Sequence, residues 1–463
     1  MSTAARQFLT KAEEKSADLT HRATIRRGME SYEAAHEKGK LRFADWDLAK
    51  RRVQQIKYEA VNNLDKLLQQ FEAKVLERGG HVFWAETAEQ ARNYVVDVAL
   101  RNNVRTVVKS KSMVTEEIHL SAALEKVGAK AWETDLGEFI VQLRNELPYH
   151  IVTPAMHLTR EQISELFKEK LGSEETSDPP ELVAIARRAL RTAFFSAEMG
   201  ISGANFLVAD AGLVAVSTNE GNGRLTTSLP RIHIAVTGIE KVIPRLADLA
   251  VLWPVLATSG TGQPITTYST LVGGPRTATE PDGPEEFHVV LVDNGRTNLL
   301  ADVEQREVLH CIRCGACLNI CPVFRQVGGH TYGTVYPGPI GSVLTPNLAG
   351  QKEFSHLPFA SSLCNACNTV CPARIDLARH LVENRRNVAK QQTKSSDRFA
   401  MAMFRWMMAS GSRFAMMGRL ARFGLRTAQG LGIDPMKPWT RYRAPIDVPR
   451  ESFREMWRKQ NGH

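Results

Sequence analysis

The sequence predicts an α/β domain, then a small helical domain built around cysteines, then a helical C-terminal region. Three observations predict this order. Strand-like and helix-like hydrophobic patterns alternate through the first two thirds of the chain, which indicates a mainly parallel sheet covered by helices. All seven cysteines lie between residues 311 and 371. After residue 371 the chain holds 19 Lys and Arg against 7 Asp and Glu. With 463 residues, the chain is long enough for several domains.

Residues 1–45 are highly charged and show no sustained apolar face, so we expect an N-terminal arm of short helices. The first residues lack the apolar segment of a secretory signal. No uninterrupted apolar run approaches the roughly 20 residues that a membrane-spanning helix requires. These features predict a cytoplasmic protein.

We place the α/β domain at residues 46–296. It begins with one long helix at 46–77, in which apolar residues recur every three or four positions until Gly79 ends the pattern. Later helices are expected at 87–100, 113–127, 159–171 and 180–195. Extended segments are expected at 81–85, 104–108, 129–133, 150–153, 232–236 and 288–293, with a hairpin at 205–217 added to the same sheet.

The cysteines form two motifs, which define a third segment at residues 297–394. The first motif has the spacing C-x2-C-x2-C-x3-C-P, and the second repeats its last three positions. Thiolates are the ligands of iron–sulfur clusters, and in two-cluster ferredoxins the last cysteine of each motif ligates the other cluster. The spacing therefore predicts two [4Fe–4S] clusters in a ferredoxin-type domain. Cluster 1 would use Cys311, Cys314, Cys317 and Cys371, and cluster 2 would use Cys321, Cys364 and Cys367.

The second motif has Ser361 where its first cysteine would fall. Cluster 2 then has three thiolates and an open fourth corner. It is a four-iron cluster with another ligand, a [3Fe–4S] cluster, or a cluster whose open iron binds substrate. Zinc is the alternative metal, but zinc sites rarely combine three cysteines at two-residue gaps with a following C-P. An odd number of cysteines in one short segment also argues against disulfides.

Several segments resemble one known family: residues 109–117, 133–138, 219–222 and 336–339, the two cysteine motifs, and the Met- and Trp-rich tail. Over essentially the whole chain, they resemble the lactate utilization protein B family. The resemblance implies an N-terminal open sheet similar to ribose-5-phosphate isomerase and CoA-transferase-like α/β domains, followed by a two-cluster ferredoxin-type domain and a family-specific C-terminal region. It also implies a role in oxidising L-lactate to pyruvate for growth on lactate, as an electron transporter beside two partner proteins. Ser361 agrees with the family's seven-cysteine pattern.

Two loops of the α/β domain are candidates for binding a small anion. The first follows a strand and opens a helix, and ligands of parallel sheets bind at such places. The second combines glycines, which permit a tight turn, with an arginine able to bind a carboxylate through two hydrogen bonds. A lactate carboxylate or a phosphate would suit the first loop; ordinary connecting turns are the alternative for both loops. The candidate residues are Lys109, Ser110, Lys111, Glu116, Asn219, Glu220, Asn222 and Arg224.

The sequence contains no flavin or nicotinamide fingerprint, because the glycines at 200 and 203 lack their companions and follow a helix. No visible group accepts a hydride from lactate. We therefore favour an electron carrier within a lactate-oxidising assembly. The alternatives are a catalytic subunit whose α/β domain transforms a small carboxylate or phosphate, and a structural assembly module.

The C-terminal region at residues 395–463 is basic and rich in methionine. Residues 399–425 hold six of the thirteen methionines, together with aromatic residues and arginines. Such a segment is either a pair of core-packing helices or a soft docking surface. We favour docking on an acidic partner, such as another subunit of a lactate-oxidation complex or an electron donor or acceptor protein. Peripheral contact with an anionic membrane is the second alternative. A nucleic-acid partner is not expected.

Overall fold

The computed structural model describes residues 2–392, 395–440, 443–444 and 446–462. The chain forms two compact units, Met1–Val388 and Ala389–His463. The predicted boundary at residue 394 lies outside the described residues, as does the predicted end at residue 463.

The strands are β1 (His81–Ala85), β2 (Thr106–Lys109), β3 (Lys130–Glu133), β4 (Met199–Ser202), β5 (Phe206–Val208), β6 (Leu213–Thr218), β7 (Ile232–Gly238), β8 (Val242–Ile243), β9 (Tyr268–Val272) and β10 (Glu286–Val292). The helices of the first unit are α1 (Thr3–Ala17), α2 (Leu19–Lys40), α3 (Trp46–Asn62), α4 (Leu64–Glu77), α5 (Ala88–Arg101), α6 (Met113–Glu117), α7 (Leu120–Lys126), α8 (Leu136–Arg144), α9 (Arg160–Leu171), α10 (Pro179–Ser196), α11 (Asn222–Ser228), α12 (Leu249–Thr261), α13 (Arg296–Ala301), α14 (Ala316–Ile320), α15 (Pro322–Val327), α16 (Gly338–Ala349) and α17 (Ala366–Val370). They are followed by α18 (Leu377–Gln392), α19 (Ser395–Met408), α20 (Gly411–Gly430), α21 (Lys437–Thr440) and α22 (Phe453–Asn461).

Six strands form a fully parallel sheet in the order β1-β10-β7-β4-β2-β3. In the register, His81 lies opposite His288 and Met199 lies opposite Ile232. All seven residues of the central strand β7 are buried, as expected where helices and loops cover both faces of a parallel sheet. The predicted α/β class is therefore confirmed.

The hairpin predicted at 205–217 is present as β5 and β6, but the prediction that it extends the parallel sheet is wrong. It belongs to a second sheet in the order β8-β5-β6-β9. The position beside β4 is taken by β7, so the hairpin has no free edge there. Its apolar residues Leu207 and Val214 instead pack in one cluster with Phe71 and with Val289 of the large sheet.

The single helix predicted at 46–77 is two helices, because the backbone at Asn63 leaves the helical conformation (φ −126°, ψ 30°). The break lets Val53 and Ile56 of α3 pack in one apolar core, while Leu68 of α4 packs in another. The extended segment predicted at 150–153 is also absent. Residues 150–152 form bends, and residue 153 belongs to no regular element.

The N-terminal arm consists of two helices of 15 and 22 residues, which is longer than the sequence suggests. Ile25 and Met29 of α2 are fully buried in the core that also contains Leu318 and Phe324 of the cysteine region. The arm is thus part of the packing around the cysteines. Most positions of the arm are charged, so the few apolar positions that make this contact do not form a recognisable apolar face in the sequence.

The second unit consists of helices and connecting segments within its described part, which confirms the predicted helical C-terminal region. Neither α19 nor α20 has a buried residue. Arg422 of α20 bonds both carboxylate oxygens of Glu455 in α22, at 2.8 and 3.1 Å. Among the described residues of the whole chain, no helix is long and apolar enough to cross a membrane.

Candidate iron–sulfur centre and adjacent cavity

Four cysteines surround one small cavity, which we call cysteine cavity 1. They are Cys311, Cys314 and Cys317 from the first motif and Cys371 from the second. Cys317 lies in the short helix α14, and Cys371 directly follows α17. The rest of the wall is mainly apolar and includes Ile151, Ile312, Ile340, Ile375 and Leu377.

The other three cysteines line a second cavity, cysteine cavity 2. They are Cys321, Cys364 and Cys367, and the hydroxyl-bearing residues Ser361 and Ser362 line the same space. Cys364 is exposed, whereas Cys321 and Cys367 are buried. The Oγ of Ser361 accepts a hydrogen bond from the backbone N–H of Leu363 at 3.1 Å. The position that lacks a cysteine in the sequence is therefore beside the three thiols in space.

The cysteine thiols that line the two cysteine cavities are suited to binding iron–sulfur clusters. Burial raises the pKa of Cys367 to about 11 and that of Cys371 to about 12. Burial also raises the pKa of Cys314 and of Cys317, and neighbouring thiols add to both shifts. Buried thiols gathered this closely ionise only when a cation lies among them, and a bound metal deprotonates its thiol ligands. Iron would supply that charge in both cavities.

Backbone N–H groups point at two of the sulfurs. Arg313 donates to the Sγ of Cys311 and Ile375 donates to the Sγ of Cys371, each at 3.4 Å. Hydrogen bonds to sulfur and exclusion of solvent are two of the means by which a protein sets the potential of a cluster. Arg313 adopts a left-handed conformation (φ 60°), which is uncommon for a residue with a side chain.

A third and much larger cavity of about 790 Å³ lies at the carboxyl ends of the parallel strands; we call it the edge cavity. Residues that follow β2, β3, β4 and β7 line it, as does Cys314 from the wall of cysteine cavity 1. Ligands of open α/β sheets bind at this edge. Five of the eight candidate residues line the edge cavity: Ser110, Lys111, Asn219, Glu220 and Asn222.

Four of these five side chains, those of Lys111, Asn219, Glu220 and Asn222, are held by hydrogen bonds to nearby elements. Lys111 donates to the backbone oxygen of Val152 at 2.6 Å. Glu220 accepts from the backbone N–H of Leu136 at 2.9 Å. The side-chain nitrogen of Asn222 donates to Thr134 at 3.3 Å, while its Oδ1 is buried and has no hydrogen-bond partner in the described part of the chain. Polar groups of two separate loops are thus fixed around one space.

The remaining three candidates are outside the lining of the edge cavity. Lys109 is fully buried, and its Nζ lies 2.6 Å from Glu133 and 2.8 Å from Glu116. Arg224 is exposed, and its guanidinium stacks over the ring of Tyr268. In this arrangement Lys109 and Glu116 hold the end of β2 in place.

Sequence reasoning did not find several charged residues at the inner end of the edge cavity. Lys241 and Arg313 line it beside Cys314, and Glu240 bonds Arg313 with 3.3 Å between Oε1 and Nη2. Two signals were available. Glu240 and Lys241 lie two and three residues after the end of the buried strand β7. Arg313 lies inside the first cysteine motif.

Three families match successive parts of the chain. Residues 68–292 match the LUD domain, residues 307–375 match the 4Fe-4S dicluster domain, and residues 379–462 match the C-terminal domain of lactate utilisation protein B. Lactate utilization protein B of Bacillus cytotoxicus is 44% identical over 426 residues, which cover 90% of this chain and 89% of that protein. The chain belongs to the lactate utilization protein B family.

A second member of the lactate utilization protein B family, from Bacillus velezensis, is 44% identical over 444 residues, which cover 93% of this chain and 91% of that protein. A solved structure of a DUF162 family protein from Deinococcus radiodurans covers 50% of this chain and 98% of its own, with 15% identity and a TM-score of 0.28. The family membership confirms the resemblance seen in the sequence, and both cysteine motifs lie in an iron–sulfur domain.

Proposed function

We propose that this protein carries electrons during the oxidation of L-lactate to pyruvate, as the iron–sulfur subunit of a cytoplasmic multi-protein assembly. The observation that supports this most directly is the presence of two cysteine-lined cavities in a chain 44% identical to lactate utilization protein B. Conversion of lactate to pyruvate releases two electrons and two protons. A partner subunit would oxidise lactate and pass the electrons singly to the clusters, which would pass them to an acceptor protein.

We assign cluster 1 to the four thiols of cysteine cavity 1 and cluster 2 to the three thiols of cysteine cavity 2. When bound, each cluster accepts or releases one electron. The apolar wall of cysteine cavity 1 excludes water, and the N–H groups of Arg313 and Ile375 stabilise negative charge on the sulfurs. Ser361 occupies the sequence position of the missing cysteine and lines cysteine cavity 2, so a four-iron cluster with an oxygen ligand and a [3Fe–4S] cluster are both compatible with that cavity.

A second function is favoured by the edge cavity. Its volume and polar lining suit a small-molecule site, and it reaches the wall of cysteine cavity 1. The α/β domain would then bind and transform the substrate, with the clusters as its internal electron path. The third alternative is an assembly module in which the clusters are structural.

The test uses the anaerobically purified full-length protein. Iron and sulfide of about seven or eight per chain are expected for two clusters, and about four or none would contradict the proposal. Lactate is then added with and without the partner subunits while cluster reduction is followed by absorbance and EPR. Reduction only with the partners supports an electron carrier. Reduction by lactate alone supports the catalytic alternative, and clusters that stay oxidised throughout turnover support the structural one.

A further inference from the structure

One wall of the edge cavity contains a buried lysine, Lys241, that has no hydrogen bond or ion pair with the residues that the structure describes. Lys241 is only 6% exposed, and within the part of the chain that the structure describes its Nζ makes no hydrogen bond or ion pair. A buried ammonium group is expensive unless an acceptor or an anion accompanies it. Lys241 lines the edge cavity, so that space is where an anion could reach it.

Arg313 presents a second incomplete cation to the same end of the cavity. Its Nη2 bonds Glu240, whereas its Nη1 is buried and has no hydrogen-bond partner among the described residues. The guanidinium stacks over the ring of Tyr336, with 4.9 Å to the ring centre, which fixes its plane. A buried donor left without an acceptor destabilises the protein, and a carboxylate is the acceptor that a guanidinium matches best.

The neighbouring carboxylates do not balance these cations. Glu240 lies 2.6 Å from Arg296 and is shared with Arg313, while Glu117 also pairs with Arg296 at 2.8 Å. Glu117 and Glu240 therefore pair with two arginines, and neither carboxylate forms an ion pair with Lys241. The positive charge of Lys241 would offset part of the negative charge of cluster 1, because Lys241 is close enough to interact with Cys311, one of the proposed ligands of that cluster.

From these contacts we propose that Lys241 and Arg313 bind the carboxylate of a small 2-hydroxy or 2-oxo acid in the edge cavity, beside cluster 1. Val236, Leu256 and Ala257 line the cavity as well and offer apolar contacts to a short alkyl group. The choice of acid rests on the proposed function, whereas the anion site rests on the two incomplete cations. Placement of the acid beside Cys314 would make occupancy of the edge cavity affect cluster 1 directly.

The first experiment measures binding of L-lactate, pyruvate and inorganic phosphate to the anaerobic holoprotein by calorimetry. Lactate or pyruvate is expected to bind, and Lys241→Met is expected to weaken that binding by about tenfold to a hundredfold, the range for one hydrogen bond to a charged group. Lys66→Met, on the exposed surface, is the control and should change binding less than threefold. Lys111→Met, which alters another lysine of the cavity lining, is measured for comparison. Binding of phosphate alone, or a larger effect of Lys111→Met than of Lys241→Met, would overturn the proposal.

A second measurement uses the unmodified protein and so does not depend on how a variant folds. Pyruvate labelled with ¹³C at the carboxylate is added to the reduced holoprotein, and ENDOR spectroscopy detects coupling between that carbon and the cluster 1 signal. Coupling is expected, and its absence at saturating pyruvate would contradict the site. If Lys241→Met shifts the potential of ligand-free cluster 1 but leaves carboxylate binding unchanged, Lys241 serves the cluster alone and the inference is wrong.

The two proposals fail in distinguishable ways. If the clusters are reduced during lactate turnover but no carboxylate binds to this chain, the electron-transfer role is supported and the carboxylate site is contradicted. If a carboxylate binds beside cluster 1 but the clusters stay oxidised throughout turnover, the carboxylate site is supported and the electron-transfer role is contradicted.

Discussion

Arg313 and Glu240 form a buried ion pair, with 3.3 Å between Nη2 and Oε1. Arg313 belongs to the loop around cysteine cavity 1, and Glu240 follows strand β7. The other oxygen of Glu240 accepts from the Nε of Arg296 at 2.6 Å. Burial by itself would raise the pKa of Glu240, but the charges of Arg296 and Arg313 outweigh it and lower the pKa to about 2, which keeps Glu240 ionised. The pair therefore fastens the cysteine loop to the carboxyl edge of the sheet.

Arg296→Met should destabilise the protein by about 3–5 kcal/mol, because it leaves the buried carboxylates of Glu117 and Glu240 without their shared partner. Arg276→Met is the matched control. It removes a salt bridge to Glu285 in which both side chains are more than a third exposed, so its effect should stay below about 1 kcal/mol. Denaturant unfolding of the anaerobic holoproteins measures both. Equal effects of the two variants would show that the Arg296 network adds nothing to stability.

Cys371→Ala should impair cluster 1, although Cys371 belongs to the second motif, because its thiol lines cysteine cavity 1 with Cys311, Cys314 and Cys317. Cys364→Ala should impair cluster 2 and leave the cluster 1 signal in place. Iron content and EPR spectra of the two variants provide the comparison. Loss of cluster 2 alone in Cys371→Ala would contradict the ligand assignment.

Ser361→Cys should supply cluster 2 with a fourth thiolate, since Ser361 lines cysteine cavity 2 beside Cys364 and Cys367. If cluster 2 holds three irons, the variant should raise the iron content from about seven to about eight per chain and remove the EPR signal of oxidised [3Fe–4S]. If it already holds four, the variant should lose iron more slowly in air. Ser355→Cys, which lies outside that cavity, controls for an added thiol. Identical iron content and air sensitivity in both variants would exclude Ser361 from the cluster.

Glu138→Gln should remove a pH dependence of stability. Burial, with the neighbouring charge of Glu133, raises the pKa of Glu138 to about 8. Within the described ranges, the Oε1 of Glu138 is buried and has no hydrogen-bond partner. The folded protein therefore keeps a proton that the unfolded chain releases near pH 4.5. This contribution to stability is present below that pH and is lost progressively as the pH rises to about 8.

Because glutamine is neutral throughout this range, Glu138→Gln should gain stability relative to the unmodified protein as the pH rises from about 5 to 8. Thermal unfolding of the holoproteins across that range measures the difference, with the exposed Glu165→Gln as the control. A constant difference at every pH would show that Glu138 is ionised in the folded protein.

Removal of the chain after Gln392 should leave the cluster spectra unchanged but slow lactate-dependent electron flow in the reconstituted assembly. The described residues of α19 and α20 are not buried, and Phe399 and Trp406 expose 71% and 46% of their surface. Electron flow in the full-length protein should also fall as salt rises, since charge attraction is screened over about 10 Å at 0.1 M. Loss of the clusters on truncation, or unchanged activity at every salt concentration, would contradict a docking role.

Features that depend on local spacing could be predicted from the amino-acid sequence. The cysteine motifs indicate iron–sulfur chemistry because the ligands of a cluster come from a few consecutive turns of chain, and alternating strand and helix patterns indicate the α/β class because each pattern reports which face of its own element is buried. Side chains such as Ser110 and Lys111 were predictable for the same reason, as they directly follow a buried strand.

Local spacing does not predict which of these side chains face the same space, because that depends on how distant elements pack. Lys109 and Lys111 are two residues apart. Lys109 forms ion pairs with Glu116 and Glu133 and does not reach the edge cavity, whereas Lys111 lines that cavity. Lys241 and Arg313 are 72 positions apart in the printed sequence, and no periodic pattern connects them. Their convergence depends on how β7 and the cysteine loop pack together, and such long-range packing is set by the sum of many contacts rather than by the spacing of residues along one element.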